Sequence, residues 1–118
     1  MLVSTAHHFL VLFPKEKMAR NKTLRDVIAV SNPLRMDQHC SAQEKAGRVD
    51  ELLQELGLKK CENTRIGFPG RVKGISGGEM KRLAVACELV TNPPLLFCDE
   101  PTSGLDSFMA QNVVETLR

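Results

Sequence analysis

The chain has 118 residues, 42% of them apolar and 25% charged, and a formal net charge of +2. That length sets one domain as the ceiling, and the balance fits a folded globular domain rather than a disordered chain. A small net charge, with no Trp and no Tyr, argues against nucleic acid or an anionic membrane surface as a charge-driven partner.

In chain order, the first apolar run is FLVLF at 9–13. It lacks the basic flank and small-residue cleavage site of a secretory leader, so it reads as a buried strand or as sequence outside the fold. No stretch approaches the roughly 20 apolar residues of a membrane span. If this chain belongs to a membrane protein, the membrane part is expected elsewhere. His7 and His8 are adjacent and have no ligand partner at helical spacing. KEKMARNK at 15–22 is polar and reads as loop.

A first helix is expected to begin within 23–28. Thr23 would be its N-cap, Asp26 would favour its dipole, and Pro33 would stop it. SAQE at 41–44 has the spacing of a capping box, in which Ser41 caps and Glu44 reaches back. Behind it Ala46, Val49, Leu52, Leu53 and Leu56 recur at helical spacing, and Gly57 supplies the stop. An irregular stretch, 58–74, carries Gly67, Pro69, Gly70 and Gly74 as turn formers. Ser76 and Glu79 form a second capping box, opening a helix from about Gly77 to about Val90 with Leu83, Ala86, Leu89 and Val90 inward. Asn92-Pro93-Pro94 ends it. Leu95 to Asp99 is a short unbroken apolar run typical of a strand buried in a parallel sheet. After the loop PTSGLD, Ser107 is the predicted cap of a last helix with Ala110, Val113, Val114 and Leu117 inward.

The four cysteines, Cys40, Cys61, Cys87 and Cys98, have wide and irregular gaps, with neither metal-site nor disulfide-framework spacing. They read as thiols in a reducing compartment.

Two stretches could carry chemistry. LLFCDE drives an apolar strand to a tip that bears two adjacent carboxylates, Asp99 and Glu100. At the C-terminal edge of a parallel sheet such acids sit where ligands bind. Asp99 could hold Mg²⁺, and Glu100 could act as general base toward water. Ordinary exposed acids at a strand end is the other reading. ISGGE opens a helix with two glycines, so backbone N–H groups at Gly77 and Gly78 could approach an anion closely, and Ser76 could offer it a hydroxyl. A well-capped helix after a flexible turn accounts for the same residues, because Ser76 and Glu79 can satisfy each other.

Taken together, the order and spacing of these stretches resemble an ABC-type ATPase nucleotide-binding domain. ISGGE looks like its signature motif and LLFCD like its Walker B strand. Glu100 looks like the catalytic glutamate, and SGLD, Ser103 to Asp106, like the D-loop. IGFPGRVKGISGGEMKRLA and PPLLFCDEPTSGLDSF are similar to the G subfamily of ABC half-transporters, in particular the white-type eye-pigment-precursor transporters. The likeness is close over 48–118 and looser back to Thr23, where TLRDVIAVSNPLRMD departs at Asn32 and Pro33. It is not visible in 1–22.

The fold class implied is α/β, part of a P-loop NTPase domain. Residues 23–92 would form a helical subdomain ending in the signature helix. Residues 93–118 would supply the Walker B strand, D-loop and following helix of the parallel-sheet core. No G-x-x-x-x-G-K-S/T stretch occurs in the sequence, so the P-loop half is expected to lie outside it. Lys73 and Lys81 do not replace the P-loop lysine and read as solvated surface lysines.

The resemblance implies ATP and Mg²⁺ as cofactors, a second half-transporter subunit as partner, and an attached membrane domain, with no nucleic acid. Two such domains pair head to tail. Ser76, Gly77, Gly78 and Glu79 would face nucleotide held by the partner, and Asp106 would work across the seam. Asp99 would serve Mg²⁺ and Glu100 the attacking water in the chain's own site. Without a P-loop the 118-residue chain alone is expected to bind ATP poorly and hydrolyse none, as a piece of a longer half-transporter. A non-catalytic protein that pairs with an intact subunit is the alternative. A soluble ABC ATPase of DNA repair or translation is a third.

Overall fold

The structure, a computed structural model, describes residues 20–31, 40–68, 73–90, 92, 96 and 100–118. Among them are four α-helices: α1 (Leu24–Ser31), α2 (Ala42–Glu55), α3 (Gly77–Leu89) and α4 (Ser107–Thr116). A single 3-10 turn, Lys59–Cys61, lies between α2 and α3. The described residues contain no strand, and an isolated antiparallel bridge joins Thr23 to Arg65. The expected buried run 95–99 lies outside them except for Leu96, which is buried. FLVLF and Pro33 also lie outside the described residues.

Helix α1 is only eight residues long, too short to stand alone in water. Its first turn is held from both sides. Thr23 and Asp26 exchange side-chain-to-backbone hydrogen bonds of 3.2 and 3.3 Å. The N–H groups of Leu24 and Arg25 donate to the carbonyls of Thr64 (3.0 Å) and Glu62 (2.9 Å). Three of the donors that a helix start leaves unpaired are thereby satisfied, two of them by a turn some 40 positions away in the chain. Leu24, Val27 and Ile28 face inward against α2 and α3.

Helix α2 opens with the full Ser41–Glu44 capping box. It closes on a Schellman motif: Leu58 N–H donates to Leu53 O at 2.8 Å and Gly57 N–H to Gln54 O at 3.1 Å. Gly57 sits at φ +64°, where a side chain would be strained. Val49, Leu52, Leu53 and Leu56 are buried, whereas Ala46, expected inside, is exposed.

Helix α3 carries the second capping box, Ser76 with Glu79, and buries Leu83, Ala86 and Leu89, with Val90 after them. The segment that leads into it is fixed by Gly74. A Cβ there would lie 1.9 Å from the carbonyl oxygen of Ile66, a separation only glycine can allow. Helix α4 differs from expectation at its start. Asp106, not Ser107, is the N-cap and accepts the Met109 N–H at 2.9 Å. Val113 and Leu117 are buried, but Val114 is 39% exposed, because α4 presents a narrower stripe to the core than four apolar positions suggest. One apolar cluster joins all four helices and Leu96.

A four-charge network ties α1, α2 and the 3-10 turn. Arg25 and Lys59 each pair with both Asp50 and Glu62. Hydrogen bonds from these cations hold the Asp50 and Glu62 carboxyls below their usual range, and the carboxylates raise Arg25 and Lys59. A depressed carboxylate pKa stabilises the fold fully above its unfolded value and loses that contribution as pH falls through the folded one. Raised cations stabilise below their unfolded values, so their share is lost only in strong alkali. The expected result is a thermal midpoint flat near neutrality that drops below about pH 4. Asp50→Asn with Glu62→Gln should lower the neutral midpoint and flatten the acid limb. Melting curves between pH 2.5 and 7 check this; an acid limb as steep in the double variant as in the parent would place the acid sensitivity elsewhere.

Candidate functional site

The start of α3 is a helix end with two donors to spare. The Ser76 hydroxyl accepts the Glu79 N–H at 3.2 Å, and the Glu79 carboxylate accepts the Ser76 N–H at 2.7 Å. Met80 N–H closes the first turn on Ser76 O at 2.9 Å. The N–H groups of Gly77 and Gly78 have no acceptor among the described residues. The capping box therefore forms in full, as one reading required, and still leaves two N–H groups and the Ser76 hydroxyl proton free. Aligned N–H groups at the positive end of a helix dipole are what an anion seeks.

The two glycines differ in what surrounds them. A Cβ at Gly78 would stand 3.3 Å from Leu105 Cδ2, so Gly78 is where the SGLD loop presses on the helix. A Cβ at Gly77 would meet nothing within 4 Å. Nothing within the described chain needs Gly77 to lack a side chain, although glycine in a helix costs stability.

Glu100, the second carboxylate of the tip, is reached from α3 by Lys81, whose ammonium donates to the Glu100 carbonyl. It is exposed and has φ +44°, the left-handed region that non-glycine residues seldom occupy. Its carbonyl oxygen accepts the Ser103 N–H at 3.1 Å, and Leu105 N–H donates to Thr102 O at 3.1 Å, so 100–105 is a pair of overlapping turns. Lys81 joins these turns to α3. Its ammonium donates to Glu100 O at 2.8 Å and to Ser103 O at 2.7 Å. Lys81 is thus not the free surface lysine its sequence context suggested. The signal was there in the spacing. Lys81 is four residues after Gly77 and three after Gly78, so it shares the helix face on which the glycines lie.

Ser76, Gly77, Gly78 and Glu79 are therefore brought together with Glu100 through Lys81 and Leu105. Asp106 lies at the far end of the same loop, where one carboxylate oxygen caps α4. Asp99, the expected metal-side acid, lies outside the described residues. Among the described residues no group of three or more His, Cys, Asp or Glu side chains could hold a metal ion.

Arg82, one residue further along α3, escaped sequence reasoning altogether. It is 6% exposed. Its guanidinium donates to the carbonyls of Leu56 (2.8 Å), Gly57 (3.1 Å) and Gly78 (3.3 Å). One side chain thus joins the C-terminus of α2 to the first turn of α3. Its position one turn before Ala86, on the inward stripe, was the available clue.

The model of the ABC transporter family matches residues 2–103. The match takes in residues 2–22, where the sequence motifs show no likeness. Over 96 residues the chain is 57% identical to protein white of Ceratitis capitata and 55% identical to protein white of Drosophila melanogaster. Over 97 residues it is 53% identical to the ABC transporter ATP-binding protein/permease wht-1 of Caenorhabditis elegans. Each alignment covers 81% of this chain, which spans 14% of the length of each of these relatives.

Proposed function

This chain belongs to the ABC transporter family, and we propose that it is the signature-to-D-loop part of the ATPase domain of a white-type half-transporter. Membership carries with it the P-loop NTPase fold and the binding of a nucleotide. The finer reading assigns roles. Gly77 and Gly78 offer their N–H groups, and Ser76 its hydroxyl, to the γ-phosphate of ATP held mainly by a second subunit. Glu79 holds the helix start in shape through its bond to the Ser76 N–H. Glu100 orients and polarises the attacking water in the chain's own site, and Asp106 works at the seam between subunits.

Mg²⁺ would supply neutralisation of the phosphate charge. It commonly keeps water and phosphate oxygens and takes one or two carboxylates from the protein. Asp99 is the carboxylate this chain would offer it. No helix among the described residues is long and apolar enough to cross a membrane. A membrane domain that this ATPase part drives, from the cytoplasmic side, is part of the proposal.

The observation that carries the reading is the pair of free N–H groups at Gly77 and Gly78, held beside the Glu100 turn. Half a phosphate cradle is an odd feature in a self-sufficient site and a natural one where two subunits share ATP. In the complete subunit assembled with its partner, Glu100→Gln should leave ATP binding within about threefold of the parent. It should cut turnover by about a hundredfold or more, the scale of losing a well-placed proton-transfer group. Nucleotide binding and phosphate release measured on the same preparation check it. Undiminished turnover in that variant would remove Glu100 from the chemistry.

A further inference from the structure

We propose that Lys81 is a positioning residue for hydrolysis, holding the main chain of Glu100 in the conformation that aims its carboxylate. The inference rests on the role given to Glu100 above. Glu100 lies at φ +44°, a backbone state that an unbranched charged residue does not keep without outside support. Two bonds supply that support. Ser103 N–H donates to Glu100 O at 3.1 Å within the loop. The Lys81 ammonium donates to the same oxygen at 2.8 Å and to Ser103 O at 2.7 Å. The second is the stronger kind, since the donor is charged.

The clamp is anchored to something stiff. Lys81 stands in the second turn of α3, whose first turn is closed by the capping box and fastened to α2 by Arg82. Leu105, at the other end of the loop, rests on Gly78. The loop is therefore held at two points on one helix face. Of these, Lys81 alone grips the residue that bears the carboxylate. The Lys81 side chain is partly exposed, so its ammonium takes these two carbonyls where water could also have served it.

The test uses the complete subunit with its partner, comparing the parent, Lys81→Met, Lys81→Gln, Lys81→Arg and Glu100→Gln. Small misplacements of a reacting group cost about ten- to a hundredfold in rate. Lys81→Met and Lys81→Gln should therefore lower kcat by about tenfold or more while the KM for ATP stays within about twofold. Lys81→Arg, whose guanidinium can span the same two carbonyls, should recover most of kcat. A purely structural role would instead lower thermal midpoint and activity together and would not split kcat from KM. The proposal is overturned if kcat in the Met and Gln variants is near the parent's, or if Lys81→Arg is no better than they are. Glu100→Gln separates the two failures. If that variant is silent while Lys81→Met is active, the clamp is wrong and the catalytic reading stands. If Glu100→Gln turns over normally, the catalytic reading itself has failed.

Discussion

Replacing Arg82 by Ala is expected to cost about 2 to 4 kcal/mol, because it strips donors from three carbonyls at a buried helix junction. The Leu56 and Gly57 carbonyls belong to the end of α2, where the dipole is negative and a cation is favoured. Gly57 cannot compensate. It is already committed to the left-handed cap at φ +64°, and a Cβ there would sit 3.2 Å from Arg82 Nη1. The Gly78 carbonyl, the third acceptor, would lose its side-chain donor as well and keep the main-chain one of the helix. Part of the loss is the guanidinium stem, which packs at the junction of α2 and α3. With a denaturant slope of about 1 to 2 kcal/mol per molar urea, the unfolding midpoint should fall by roughly 1 to 4 M. Arg82→Lys should lie between the two, since an ammonium restores charge but not the planar fork that reaches several acceptors. Arg65→Ala, at an exposed position, is the matched control and should shift the midpoint little. A shift in Arg82→Ala no larger than that control would mean the α2–α3 junction is held by apolar contact alone.

The features legible in the sequence are those whose partners lie within one turn. Ser41 with Glu44 and Ser76 with Glu79 are four-residue patterns, and both boxes form as their spacing demands. Gly57 is a stop signal of the same local kind. The expectations that the structure overturns are also local in origin. Ser107 and Asp106 both suit an N-cap, and the pattern cannot choose between neighbours. The structure takes Asp106, whose oxygen reaches the Met109 N–H. Val114 matches the helical stripe of α4 but the core stops short of it.

The side-chain bonds of Lys81 and Arg82 that join α2, α3 and the 100–105 turns were not legible, because their sequence separations run from 19 to 26 residues. Lys81 finds Glu100 and Ser103, and Arg82 finds Leu56, only once the chain has folded. Both are charged residues that a pattern reading assigns to solvent. Their neighbours Gly77 and Gly78 were singled out for chemistry, yet the residues that hold those glycines in place were passed over. A motif of small residues has to be braced by larger ones nearby, and the next turn of the same helix is the shortest route. The parallel-sheet part of the expected α/β fold depends on 95–99, of which only the burial of Leu96 is described. The family match carries the P-loop NTPase fold as a whole.

Gly77→Ala is expected to separate stability from function more cleanly than any other single change in this chain. Within the chain the new methyl meets nothing within 4 Å, and the position is exposed with no left-handed φ. Alanine also restricts the unfolded chain more than glycine does, so the fold should be unchanged or gain up to about 0.4 to 1 kcal/mol. The effect on hydrolysis should run the opposite way. The methyl would stand beside the free N–H groups of Gly77 and Gly78 and block a phosphate from the partner's nucleotide. Loss of a preorganised donor to such an oxygen costs on the order of a hundredfold or more in turnover. Gly78→Ala should be worse on both counts, because its methyl must also displace Leu105 at 3.3 Å. Melting curves and ATP turnover of the complete subunit with its partner, on the same samples, decide the matter. A more stable Gly77→Ala protein that turns over ATP at the parent's rate would leave the open space above α3 without a phosphate to fill it.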